Sequence, residues 1–388
     1  MRIVFDGTAA VRQRAGVGRF ARGLLAGLAE VDAENAYTLI TVGLARLDER
    51  ELRLPLHHKW LRLPLSERLA RIGWHRLHVL PSPALAVRGA NLFFTPDFAL
   101  PRPGRVPSIL TVHDLSFLLH PECADDGLRK YLSAEVPRSI AQAAAVVAVS
   151  RTTAGALQSE LGIDPARITV VPNGVDPQFC PLPAAEASRS PFGLPERYVL
   201  SVGTLEPRKN YVRLLQAFSV LKKRFKRGGE EAAGAGRTPA DSIVLAIAGR
   251  EGWLFEPVFR EVARLGLEHS VRFFADAADR DLLALYQHAG LFVFPSLYEG
   301  FGIPPLEAMA CGVPVASSTG GALPEVLGDA ALYFDPEDVP AMAGAIERAL
   351  LDEECRQSLR LRGLARSAEY TWDTAGRAAL ALFERIGT

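Results

Sequence analysis

Cysteine is scarce in this chain of 388 residues: there are four, and no two form a CxxC pair. Cys123, Cys180, Cys311 and Cys355 therefore suggest neither a zinc knuckle nor a disulfide framework, and a reducing compartment fits them best. An excess of charge of either sign is missing too. Lys+Arg and Asp+Glu both number 44, for a formal net charge of zero, which argues against a broad basic face for nucleic acid. No run of ~18 apolar residues occurs, so no segment reads as a membrane span. The opening MRIVFDGTAA lacks the basic region and apolar stretch of a secretory signal, so a cytoplasmic location is expected. Apolar residues make up 48% and charged residues 23%, which excludes disorder as a whole-chain description.

Short β-branched runs alternate with amphipathic helical runs. In the first half the strand candidates are Arg2–Phe5, Tyr37–Val42, Leu92–Thr95, Ser108–Val112, Ala145–Val149 and Ile168–Val171, with helical runs Gly18–Glu30, Asp126–Ala143 and Thr152–Glu160. Asp176–Glu196, rich in Pro, Ser and Ala and without period, reads as a linker. The alternation resumes with Tyr198–Val202, Ile243–Ala248, Val271–Phe274, Leu291–Phe294, Val313–Ala316 and Ala331–Phe334, and with helical runs Arg208–Arg224, Glu256–Leu265 and Asp281–Ala289. This predicts an α/β protein of two doubly wound, Rossmann-like domains, residues 1–180 and 181–370, facing across a cleft, with 371–388 as a closing helix. Gly228–Asp241 reads as a flexible surface loop in the second domain.

Gly16 and Gly18 match a GxGxxG/A dinucleotide pattern. Ten residues separate the strand from Gly16, and no acidic residue ends the following strand, so a nicotinamide site is rejected. A glycine-rich turn at a helix N-terminus that touches phosphate or sugar remains open beside a plain turn. The strongest signal is EGFGIPPLE, Glu299–Glu307, between the strand LFVFP and AMACGVPV. Its glycines let backbone approach a ligand, and Pro304 and Pro305 suit the first turn of a helix. Glu299 and Glu307 are then expected to face the carboxyl ends of the strands, where open sheets bind ligands.

These residues resemble the E-x7-E motif of the retaining, family-4 glycosyltransferases of GT-B architecture. TVHDLSFLLHPE (Thr111–Glu122), VSRTT (Val149–Thr153), VPNGVD (Val171–Asp176), VGTLEPRKN (Val202–Asn210) and YTWDTA (Tyr370–Ala375) resemble further landmarks, in the family's order. The overall look is similar to mannosyltransferases of bacterial surface-polysaccharide assembly. The resemblance implies transfer of a sugar, mannose from GDP-mannose by preference, from a nucleotide-sugar donor to a saccharide or polyisoprenyl-linked acceptor. The first domain would bind the acceptor and the second the donor, and the closing helix would cross back onto the first domain.

The resemblance also implies roles for single residues. Lys209 takes the lysine position of the pattern G-R-x-x-x-x-K, and Thr204 stands where the arginine belongs. Arg208 is the candidate for the missing charge beside the leaving diphosphate. Glu307 would accept from ribose hydroxyls, and Glu299 would lie near the donor sugar. Backbone N–H groups of Gly300, Phe301, Gly302 and Ile303 would orient sugar and phosphate. His113 would contact the sugar or support the charge that develops, and Asp114 would hold the imidazole, polarise the acceptor or cap a turn. A covalent double displacement and a front-face departure both remain open.

No metal or other cofactor is expected. Asp279-Arg280-Asp281 is formally DxD but precedes LLALYQHA, so Asp279 or Asp281 reads as a helix N-cap. His75 and His78 lack a third ligand nearby. Leu54–Leu80 mixes Trp60, Trp74 and leucines with Lys59, Arg62, Arg68, Arg71 and Arg76. It reads either as a helix packed on the first domain or as an interfacial helix that touches the membrane. Three other functions are weighed: a UDP-sugar epimerase, a phosphorylase, and a non-catalytic sugar-nucleotide binding module.

Overall fold

The computed structural model describes the chain apart from residues 14–15, 44–51, 64, 67–68, 71, 77–82, 84–86, 102–103, 184–190, 196–197, 233–242 and 276, with backbone only at 75–76, 191 and 228–232. The first sheet holds β1 (Arg2–Asp6), β2 (Ala36–Val42), β3 (His57–Leu63), β4 (Leu92–Thr95), β5 (Ser108–Val112), β6 (Ala145–Ala148) and β7 (Ile168–Val170). Their spatial order is β3-β2-β1-β4-β5-β6-β7, all parallel. β4, β5 and β6 bury every residue, as strands must when helices cover both faces of a parallel sheet.

The second sheet holds β8 (Val199–Val202), β9 (Leu245–Ala248), β10 (Val271–Phe274), β11 (Leu291–Phe294), β12 (Val315–Ser318) and β13 (Ala331–Phe334). Their order is β10-β9-β8-β11-β12-β13, again parallel. In each sheet the direction of winding reverses once, at β1/β4 and at β8/β11. Such reversals splay the loops at the strand ends and open room for a ligand.

The chain divides into two units. One is Met1–Leu119, Asp126–Asp176 and Tyr370–Thr388, and the other is His120–Asp125 and Pro177–Glu369. The boundaries lie near 176 and 369, not at 180 and 370, and His120–Asp125 belongs with the second unit although its neighbours in sequence belong with the first. Hydrogen bonding and ring packing against Trp253 and Tyr298 hold it there, and no periodicity announces such contacts. The helix Trp372–Gly387 packs on the helix Val17–Val31 at a glycine-to-glycine crossing. A Cβ on Gly27 would sit 1.9 Å from the Trp372 carbonyl oxygen, and one on Gly376 would sit 2.6 Å from Gly27 C.

Three further expectations are corrected. The described part of Leu54–Leu80 contains no α-helix spanning it but an edge strand, β3, and a π-turn at Ile72–Arg76. The alternation of HHKWLRL puts Trp60 and Arg62 on one face, where the guanidinium lies 5.0 Å from the ring centroid. Gly228–Ala232 extends the helix Tyr211–Ala232, and residues 233–241 of the expected loop lie outside the described residues. The N-cap of the helix Asp279–Gln287 is Ala278, with both aspartates in its first turn, where they complement the helix dipole without capping. His78 and the side chain of His75 lie outside what is described. No helix is long and apolar enough to cross a membrane among the described residues.

The helix crossing yields a stability prediction. Gly27→Ala should destabilise the protein by about 1–3 kcal/mol through overpacking. Gly344→Ala, in the helix Val339–Leu351, meets nothing within 4 Å and should be neutral or stabilising by up to ~1 kcal/mol. Urea unfolding of both variants checks the contrast.

Candidate functional site

At the reversal of the second sheet, two loops meet. After β8 the chain passes Gly203 and Thr204 into a 3₁₀ turn, Pro207–Lys209, that ends at Asn210 in the left-handed region (φ 59°, ψ 31°). Asparagine tolerates that conformation better than most residues. Here its Nδ2 donates to Pro295 O at 3.0 Å and Pro336 O at 2.7 Å. After β11 the chain runs through Tyr298 and Glu299 to Gly302, the N-cap of the helix Ile303–Ala310. The amide of Leu297 donates to Arg208 O at 2.8 Å. Gly302 has φ 100°, and a Cβ there would lie 2.6 Å from Leu323 Cδ2. Glycine is needed on both counts.

A buried charge cluster sits where the loops touch. Lys209 Nζ donates to Glu299 Oε1 at 2.5 Å, and Arg208 Nη1 donates to Glu299 Oε2 at 2.8 Å. Arg208 Nη1 also reaches Tyr298 O at 2.8 Å, and its Nη2 reaches Glu206 Oε1 at 2.9 Å. Lys209 Nζ stands 5.2 Å from the Phe294 ring centroid. The Lys209 and Glu299 side chains are only 12% and 10% exposed, so each charge needs its partner. Burial alone would raise the Glu299 carboxyl. The Arg208 and Lys209 charges outweigh it and hold the group at about 2.

Glu307 follows on the next helix. It is buried in the helix Ile303–Ala310, and its Oε2 accepts from Tyr286 OH at 2.9 Å. Phe301 and Gly302 are buried beside it in sequence, and Ile303 is half-buried. Helix geometry leaves the first N–H groups here without intrahelical acceptors and gives this end a partial positive charge. Thr204 shares the loop of Lys209, and its Cγ2 would lie 2.7 Å from a Cβ on Gly252.

The remaining expected residues belong to the first unit. His113 follows β5. Its Nε2 lies 2.8 Å from Pro96 O, and since a carbonyl only accepts, Nε2 carries the hydrogen. Burial pushes the imidazole below its ordinary value, ahead of the opposing effects of the Pro96 hydrogen bond and of Asp97 and Asp114. The ring is thus neutral at pH 7, with Nδ1 as a lone-pair acceptor. Phe20 and Phe98 flank it at 5.0 and 5.5 Å. Asp114 Oδ1 accepts from Ser116 N at 2.9 Å, so it caps the turn into the short helix Ser116–Leu119. Gly16 (φ 55°, ψ −120°) is the N-cap of the helix Val17–Val31. Gly18 is hemmed in, since a Cβ there would lie 1.9 Å from Gln13 O; close packing alone accounts for that glycine.

Sequence reasoning missed Glu206, Asn210, Tyr286 and Tyr298. Glu206 stands directly before Pro-Arg-Lys and could have been read as their counter-charge. Tyr286 lies 21 residues from Glu307 on an ordinary amphipathic helix and carries no local signal. No group of three or more His, Cys, Asp or Glu side chains suited to a metal occurs among the described residues.

Sequence profiles described as "Glycosyltransferase Family 4" and "Glycosyl transferases group 1" match residues 14–179 and 185–365. O-antigen chain mannosyltransferase B of Escherichia coli is 33% identical over 286 residues, 73% of this chain and 71% of that one. The chain belongs to the family-4 glycosyltransferases. Serotype-specific mannosyltransferase WbdA of E. coli is 32% identical over 72% of this chain, which spans only 33% of that protein's length. The sucrose-phosphate synthase of Thermosynechococcus elongatus superposes with a TM-score of 0.78 at 21% identity, covering 99% of this chain and 98% of that one. The two parallel sheets are those of the GT-B glycosyltransferase fold.

The depressed Glu299 carboxyl has a sign that can be worked out. The folded state binds its proton less readily than the unfolded chain, whose group titrates near 4.5. Its contribution is therefore complete above that pH and fades as the pH falls towards about 2. In urea unfolding between pH 5 and 2.5, this glycosyltransferase should lose roughly 2 kcal/mol more than Glu299→Gln does. Parallel losses would contradict the assignment.

Proposed function

We propose that this glycosyltransferase moves a hexosyl group, by preference mannose from GDP-mannose, with retention, to a saccharide or polyisoprenyl-linked saccharide in O-antigen or related surface-polysaccharide assembly. The E. coli relatives named as mannosyltransferases support the sugar. The observation that carries the reading is the Arg208–Glu299–Lys209 cluster at the strand reversal. Departure of a nucleoside diphosphate builds negative charge on the β-phosphate, and a pair of cations held on one loop, with the helix end at Ile303, meets that charge by exchanging a bond to Glu299 for one to phosphate. No metal is needed for that task. Glu307, held in place by the hydroxyl of Tyr286, accepts from the ribose hydroxyls. Neutral His113 accepts a sugar hydroxyl at Nδ1.

Glu299 has both oxygens engaged by cations and a carboxyl held at about 2, which makes it a weak nucleophile and a poor base. Front-face departure, with a phosphate oxygen taking the acceptor proton, suits this site better than a covalent intermediate. The epimerase, phosphorylase and binding-module alternatives draw no support from relatives named as transferases. A cytoplasmic setting agrees with four free thiols. A peripheral contact with anionic lipid is assigned to the open edge at β3, where Lys59 and Arg62 are exposed and Leu56 is 70% exposed. Flotation with anionic vesicles should recover the protein, and Lys59→Glu with Arg62→Glu should abolish that recovery.

A thermal-shift panel of UDP, GDP and ADP with their sugars tests the donor. A selective rise with GDP and GDP-mannose is expected, and a rise with UDP alone would replace the donor assignment. Lys209→Ala should lower kcat by ~10²–10³-fold, the scale of one lost transition-state donor. Glu307→Ala should weaken nucleotide binding by roughly tenfold or more. Full activity in both variants would overturn the site.

A further inference from the structure

We infer that His120 is a positioning residue of the donor site, acting through the ring of Tyr298 on the backbone that holds Arg208 and Glu299. The inference rests on the reading that this cation pair receives the donor diphosphate. His120–Asp125 lies in sequence between the helices Ser116–Leu119 and Asp126–Gln142 of the first unit, yet it is part of the second. Two contacts hold it. Trp253 Nε1 donates to Cys123 O at 2.7 Å. The His120 and Tyr298 rings pack with centroids 5.5 Å apart at 42°.

Tyr298 is the point where this packing meets the chemistry. It is 8% exposed, and its carbonyl accepts Arg208 Nη1 at 2.8 Å. One residue later Glu299 holds both cations. One residue earlier the Leu297 amide binds Arg208 O. The backbone of 297–299 thus grips Arg208 from two sides, and the Tyr298 ring is the lever that sets its height. His120 packs against that ring. Its Nδ1 lies 3.2 Å from Glu122 Oε1, which orients the imidazole plane. The Cys123 thiol, three residues on, is buried, and burial first, then Glu122, pushes it up to about 11. It stays uncharged and does not disturb the balance of Glu206, Arg208, Lys209 and Glu299.

The packing of an aromatic plane, not the charge of an imidazole, is what Tyr298 requires from residue 120. In the full chain, His120→Ala should weaken binding of GDP or UDP by about tenfold and lower kcat/KM for the donor by a similar factor, with acceptor KM unchanged. His120→Phe should restore both to within about twofold. Trp253→Phe, which releases the Cys123 carbonyl but keeps a ring at 253, should move donor KM in the same direction by a smaller factor, and it carries the test if His120→Ala does not fold. Wild-type nucleotide affinity in His120→Ala, or in Trp253→Phe where that variant stands in, overturns the inference. So does a loss in His120→Phe equal to that in His120→Ala, or a parallel rise in acceptor KM. Lys209→Ala is measured alongside. If it weakens nucleotide binding while His120→Ala does not, only the positioning role fails. If Lys209→Ala binds nucleotide as wild type does, the donor-site reading fails and takes this inference with it.

Discussion

Two cations and a carboxylate, shut away from water beside the strand reversal of the second sheet, set the terms for the surrounding structure. Removing an ion from water costs several kcal/mol even after relaxation, so none of the three can remain buried alone. Arg208 and Lys209 converge on the two oxygens of Glu299, and Glu206 takes the remaining fork of Arg208. The local backbone follows from that need. Pro207 starts a tight 3₁₀ turn that presents consecutive residues to the same carboxylate, and Asn210 closes it in the left-handed region while tying itself to Pro295 and Pro336. The two cations are thereby matched by the two carboxylates Glu206 and Glu299. In the proposed donor complex a diphosphate would compete with Glu299 for these cations.

The helix that begins after Gly302 adds a second, weaker source of positive potential. Pro304 removes an amide that would have no intrahelical acceptor, and Gly302 supplies the backbone twist that turns the chain from loop to helix. Glu307 on this helix is fixed by Tyr286 from the helix Asp279–Gln287. A carboxylate with one oxygen so engaged keeps a single orientation, which suits recognition of a fixed diol. Tyr286 contributes to that orientation through the hydrogen bond its hydroxyl donates.

Strands with two buried faces were the most legible feature, because a parallel sheet under helices demands unbroken apolar runs such as FVF and ILTV. β3 was not legible as a strand. It is an edge with one exposed face, its residues are basic and aromatic, and Pro55 and Pro64 bracket it, so it mimics a broken amphipathic helix. The cap of the helix Asp279–Gln287 was misplaced by one residue because aspartate favours both the cap and the first turn. Within the site, EGFGIPPLE stood out through composition and spacing, and Lys209 through its place in a pattern of the family that the chain resembles. Tyr286, Tyr298 and His120 did not, since each acts through a contact between distant segments, and a large aromatic side chain reads as core wherever it falls. Asp114, read from sequence either as a chemical group or as a turn cap, accepts from the Ser116 amide.

Thr204 marks where this chain departs from the pattern it otherwise resembles, and the geometry explains why the departure is tolerated. The segment after β8 continues as a strand-like extension: Gly203 N donates to Ala248 O at 2.9 Å, Leu205 N to Arg250 O at 2.8 Å and Gly252 N to Leu205 O at 3.0 Å. Glycines at 249 and 252 let that second segment lie almost against Gly203 and Thr204. A β-branched residue fits such an extended, hemmed position. Arg208, proposed to make up the charge absent at 204, stands on the same loop, where Glu206, Tyr298 and Glu299 supply acceptors. Moving the cation four residues along the chain preserves the number of positive groups at the reversal while changing the direction from which one of them arrives. Because a guanidinium bonds through a planar fork, its direction decides which acceptors it can meet, and in this chain the backbone carbonyl of Tyr298 is one that fixes it.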